Sequence, residues 1–173
     1  MRVRRRLMLL AAGLPVAMLG RQAVAQTHAS PLATPSTEEL VRALSPGATT
    51  RGLGARNLRV EAPSVDLTVG FEFDSATLQP QARALVERLA EAMDSPALRA
   101  LRFRVEGHTD ARGSAAYNEG LSSRRARAVV DTLIARGVAT GRLEAVGKGF
   151  SEPLDPADPG APVNRRVRVR VLE

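Results

Sequence analysis

The sequence predicts an α/β (α+β) two-layer sandwich with helices packed on one sheet, and three observations lead there. Several short runs alternate apolar and polar residues, as strands buried on one face do. Two longer segments repeat their apolar residues at helical spacing. The two kinds of segment interleave in the order β-α-β-α-β-loop-β, which puts helices on a sheet.

Taken in order, the first residues are MRVRRR, then LMLLAAGLPVAMLG, then a small-residue exit at Ala23-Val24-Ala25. This is the pattern of a secretory signal peptide over residues 1–25, cleaved before Gln26. The apolar run Leu7 to Gly20 contains Gly13 and Pro15 and falls short of the ~20 residues of a spanning helix. Arg5-Arg6 resembles a twin-arginine signal only faintly, because the usual Phe is missing. Residues 26–63, rich in Ala, Pro, Ser, Thr and Gly, are predicted to be a linker. Within it a short helix is expected over 36–44. Ser36 and Glu39 have capping-box spacing, and Leu40, Val41 and Leu44 share a face. That helix could pack on the domain or dock a partner protein.

The folded domain is expected over 64–173. Val65, Leu67, Val69, Phe71 and Phe73 alternate with polar residues as a first strand. Pro80 to Met93 reads as a helix, and Leu101, Phe103 and Val105 as a second strand running into a turn at His108 to Gly113. A long helix is predicted from Tyr117 to Arg136, stopping at Gly137, followed by a short strand from Leu143 to Val146. Val167, Val169 and Val171 alternate with Arg166, Arg168 and Arg170 in a last strand. Its arginines are expected to form a solvent-facing stripe of the kind that protects sheet edges.

Charge and composition exclude several functions. The net charge of +7 and pI near 11.3 suggest a nucleic-acid binder. Five arginines and no acids lie in residues 1–25, however, and residues 60–173 hold 16 basic and 16 acidic side chains. A neutral domain in a chain with only 3% aromatics offers neither the basic excess nor the stacking platform that nucleic acids need, so no nucleic-acid partner is expected. With no cysteine there is no disulfide, thiolate metal site, Cys nucleophile or acylated Cys. The two histidines, His28 and His108, are too few for a triad or a two-His metal site, and no cofactor is expected. His108 is expected to hydrogen-bond within its turn.

The stretch Glu106-Gly107-His108-Thr109-Asp110-Ala111-Arg112-Gly113 puts Asp110 just past a strand end, where sheets present polar groups. On the following helix Asn118, Ser122 and Arg125 fall on one stripe beside the apolar face, which leaves Arg125 half-buried. An Asp and an Arg facing one cleft suit a zwitterion, with ammonium to carboxylate and carboxylate to guanidinium. Spacing alone equally allows Asp110 and Arg125 to pair with each other, or Asp110 to cap the helix.

Gly-His-Thr-Asp-x-x-Gly, Tyr-Asn-x-x-Leu-Ser-x-x-Arg-Ala, Gly-x-Gly and the closing Asn164-Arg165-Arg166-Val167 together resemble the OmpA C-terminal-like domain. Phe71-Glu72-Phe73-Asp74-Ser75 resembles its first-strand signature. That family includes the peptidoglycan-associated lipoprotein and flagellar stator proteins. The resemblance implies a β-α-β-α-β-β fold that binds peptidoglycan noncovalently through the meso-diaminopimelate of the stem peptide. Asp110 would then receive the side-chain ammonium and Arg125 the side-chain carboxylate. Thr109 and Asn118 would support the cleft, and Asp74 and Leu121 would line it. Departures from the pattern, Arg168 in place of an acidic residue and Gly160-Ala161-Pro162 before the last motif, are expected to touch the last loop and strand rather than the cleft. Residues 26–63 are too few for a membrane β-barrel. The expected product is a soluble, exported periplasmic protein held to the wall by binding alone, with outer-membrane association as a further option.

Two rivals carry their own expectations. A glycan hydrolase would need paired carboxylates, for instance Asp74 with Asp110; no enzyme activity is expected. An adaptor would use residues 36–44 to meet an envelope protein, with wall binding secondary.

Overall fold

The structure, a computed structural model, describes residues 31–47 and 62–172. The predicted signal segment 1–25 lies outside the described residues, as does half of the predicted linker, 26–30 and 48–61. Within that linker, α1 (Thr37–Leu44) forms where capping-box spacing predicts it. Ser36 Oγ accepts from the Glu39 N–H, and Glu39 Oε2 accepts from the Ser36 N–H. Leu40 and Leu44 are fully buried, because α1 packs on α2 (Pro80–Asp94) and β1 (Ser64–Leu67). Just before it, Leu32 bridges Leu67 in parallel fashion and exchanges backbone hydrogen bonds with Asp66 and Thr68. Residues 31–47 therefore complete the core as well as connecting to it. An envelope partner would have to be met by the polar face of α1, since its apolar face is occupied.

The remaining elements are β2 (Arg102–Gly107), α3 (Ala115–Ala135), β3 (Leu143–Gly147) and β4 (Val167–Leu172). They build a four-stranded sheet in the order β1-β4-β2-β3, antiparallel except for the β2/β3 pair that α3 connects. Phe103, Val105, Val167, Val169 and Val171 face Leu85, Leu89 and Met93 of α2 and Val129, Val130 and Leu133 of α3 in one core. No helix among the described residues is long and apolar enough to cross a membrane.

Two expectations change. The first strand, expected to run to Phe73, ends its regular pairing at Leu67, because β4 reaches no further than Val167 opposite it. The chain continues to Phe71, which bridges Leu78, and turns back over 72–77, leaving Phe73 99% exposed. The alternation persists past the point where the sheet has a neighbour for it.

The last strand is central rather than an edge, and its arginines do not form an open stripe. Arg166 is only 3% exposed. Asp66 stands in register with Arg168 on neighbouring β1 and accepts from both. Arg166 Nε lies 2.8 Å from Asp66 Oδ1, and Arg168 Nε and Nη2 lie 2.9 and 2.8 Å from its two oxygens. Burial works to raise the Asp66 carboxyl, but the Arg168 and Arg166 guanidiniums outweigh it and hold it below its ordinary range.

Candidate functional site

The site lies where β2 ends. α3 approaches the sheet closely because Gly107 and Gly147 carry no side chain: a Cβ on Gly107 would collide with the Ser122 carbonyl, and one on Gly147 with Ser123. Past Gly107 the chain stays extended and is stitched to the loops beside it. The His108, Thr109 and Ala111 N–H groups donate to the carbonyls of Arg166, Gly149 and Pro159. This fixes Thr109 and Asp110 at the floor of a cleft of about 660 Å³ between the 71–77 turn, the start of α3 and the last loop.

All six residues predicted for the site, Asp74, Thr109, Asp110, Asn118, Leu121 and Arg125, line this cleft. Asn118 is buried and donates through Nδ2 to the Arg112 carbonyl at 2.8 Å, holding the turn after Asp110. Ser114, not Asp110, caps α3, accepting from the Tyr117 N–H. Arg125 is half-buried. Its Nε donates to the Ser75 carbonyl at 3.1 Å, and its guanidinium lies 4.9 Å above the Phe71 ring. Burial and then the nearby Arg165 lower Arg125 from its ordinary value, against Asp74 and Asp110, which raise it. Among the described residues no carboxylate lies within ion-pair distance of Arg125. Asp110 and Arg125 thus face one cleft without pairing.

Asp110 pairs instead with Arg165, whose Nη1 lies 2.8 Å from Oδ2, while Oδ1 accepts from the Arg112 N–H at 3.2 Å. Arg165 is a site residue that sequence reasoning missed, although it stands in the quoted Asn-Arg-Arg-Val motif. The last loop, expected to lie clear of the cleft, supplies Arg165 to it and anchors the turn after Asp110 through the Pro159 carbonyl, which accepts from the Ala111 N–H. Asn164 organises that loop from a fully buried position. Its Oδ1 accepts from the Leu154 and Asp155 N–H groups, and its Nδ2 donates to the Asp158 carbonyl. Asp74 adopts a left-handed conformation (φ 49°) and accepts from the Tyr117 hydroxyl.

His108 departs from expectation. Its ring is buried, and neither nitrogen has a hydrogen-bond partner among the described residues; its backbone N–H donates to the Arg166 carbonyl, outside the turn. Burial, reinforced by Arg166 and Arg168, lowers it to about 3, so the imidazole is neutral. Glu106, His108 and Glu152 come close enough to share a metal ion. Lys148 already holds Glu152, at 2.7 Å, and the guanidiniums that depress His108 oppose a bound cation equally. The cleft is lined by the carboxylates of Glu72, Asp74 and Asp110 and the guanidiniums of Arg112, Arg125 and Arg165, and its chemistry is therefore that of charge recognition.

Comparison with known proteins agrees with the architecture. The OmpA-like domain of FopA1 from Francisella tularensis superposes with a TM-score of 0.55 at 22% identity, covering 68% of this chain and 80% of that one. The cell wall anchor of the T6SS from Pseudomonas aeruginosa does so with a TM-score of 0.53 at 31% identity, covering 65% and 82%. Outer membrane porin F of Pseudomonas fluorescens is 41% identical over 109 residues, which are 62% of this chain and 33% of that protein. The chain spans about a third of the length of the curated relatives it matches. Residues 70–168, more than half of the sequence, match the OmpA family itself, and the chain belongs to that family.

Proposed function

We propose that this protein binds peptidoglycan noncovalently, taking the meso-diaminopimelate of a stem peptide between Asp110 and Arg125, and so tethers or stabilises the cell envelope. The observation that carries the reading is that Asp110 and Arg125 face one cleft without neutralising each other: among the described residues Arg125 has no carboxylate within ion-pair distance, while Asp110 is held by Arg165 at 2.8 Å and, at 4.0 Å, by the mostly solvated Arg112. Arg165 is partly solvated, with 44% of its side chain exposed, so its ion pair with Asp110 is a modest one. An incoming ammonium takes its place on Asp110, and the carboxylate at the other end of the same side chain takes Arg125 in bidentate fashion. Support also comes from the relative described as a cell wall anchor, which matches this chain over the same domain. The cleft binds rather than catalyses on this reading, and the protein works in the envelope, outside the cytoplasm.

Sacculus pull-down tests it. Asp110→Ala or Arg125→Ala is expected to abolish retention, since leaving one buried ligand charge unpaired costs about 2–5 kcal/mol. Wall carrying lysine lacks the second carboxylate and is expected to bind more weakly than diaminopimelate wall. Equal retention of both would remove the role given to Arg125.

A further inference from the structure

The sequence contains five aromatic residues, and three of them, Phe71, Phe73 and Tyr117, stand around the one cleft. Two have evident work there: Phe71 lies under the Arg125 guanidinium, and the Tyr117 hydroxyl bonds to Asp74. Phe73 has none inside the molecule, being 99% exposed. The turn that presents it is nevertheless firmly built. The Glu72 N–H donates to the Thr77 carbonyl at 2.9 Å, the Thr77 N–H to Ser75 Oγ at 3.0 Å, and the Ser75 carbonyl accepts from Arg125 at 3.1 Å. The residue next to Phe73, Asp74, sits in the left-handed region that non-glycine residues adopt at a cost, and such residues gather at ligand clamps. A tied and strained turn thus holds one bare aromatic ring outward at the mouth of the cleft.

We propose that Phe73 is a stacking platform for a sugar ring of the glycan strand whose stem peptide fills the cleft. This rests on the peptidoglycan reading and extends it from peptide to glycan. The charges of the ligand belong with Asp110, Arg125 and Arg165 at the floor, so what meets Phe73 at the rim is an uncharged part. A pyranose presents a face of weakly positive C–H bonds, the complement of the negative π face of an aromatic ring. Two residues separate the diamino acid from the sugar in the stem peptide, a reach of about 7 Å when extended. That carries the chain from the floor of a cleft to its rim.

The test uses the full chain and two probes: a disaccharide-tripeptide muropeptide, and the same tripeptide freed of its sugars. Phe73→Ala is expected to weaken muropeptide binding about tenfold, the size of one good aromatic contact, and to leave the free tripeptide unchanged. Phe73→Trp is expected to keep the sugar preference, and Phe73→Leu to lose it. The exposed ring contributes no core contact, so these variants fold. An equal loss for both probes would place the ring on the peptide and overturn the platform, as would no loss for either. If the unsubstituted protein bound neither probe, the peptidoglycan reading itself would fall and the platform with it.

Discussion

Asp66 neutralises two guanidiniums that the sequence places 100 and 102 residues away, one of them almost fully buried. Removing one member of a buried ion network strands the others, at about 3–5 kcal/mol. Asp66→Ala is therefore expected to lower the urea midpoint sharply, far more than Glu144→Ala, whose bond to Arg104 is largely solvated. His108 acts on stability through protons. Its folded value near 3 lies below the ordinary 6.5, so between these values the unfolded chain binds the extra proton, and stability falls as pH falls. From pH 6.5 to 5, above most carboxylate titration, the unsubstituted protein is expected to lose up to about 1.4 kcal/mol per pH unit. His108→Gln is expected to flatten that slope, whatever it does to stability at neutral pH. At this scale the sequence was legible where chemistry is local. Asp110 and Arg125 lie in one cleft, as strand end and helix stripe allowed, although spacing alone did not decide between a shared cleft and a direct pair. Arg165 was not legible, because the Asp110–Arg165 contact depends on how the last loop folds back over 55 residues.

Element by element, helices read better than strands. α1 begins at its capping box and α2 at Pro80, signals carried by the residues themselves, while α3 starts at Ala115 behind its Ser114 cap, two residues ahead of the expected Tyr117. A strand's length and position depend instead on its neighbours. β1 stops where β4 stops, although Val69, Phe71 and Phe73 keep the alternation going. β4 lies in the middle of the sheet, although its arginines look like edge protection. α1 also shows how composition misleads, for a Pro- and Ala-rich stretch of linker character contains a helix with two fully buried leucines. Leu40→Ala is expected to cost about 2–5 kcal/mol in denaturant unfolding, the usual result for a core leucine. A merely tethering segment would show no change.

Across the whole molecule, the fold class followed from the interleaving of periods, and the family from motifs spaced along the domain. The strand order did not follow, since no local pattern says that the strand latest in the chain enters between two earlier ones. That placement governs how the protein comes into being. Until Val167–Leu172 has been made, β1 and β2 have no strand between them, and the residues Asp66 must neutralise do not yet exist. β2 and β3 can pair before that, but β1 has no partner in the sheet until β4 arrives, so closure of the sheet is a long-range event. β1 and everything packed on it therefore stay unjoined to the rest of the sheet until β4 slots between them, which makes that one insertion the step that turns two halves into a single body.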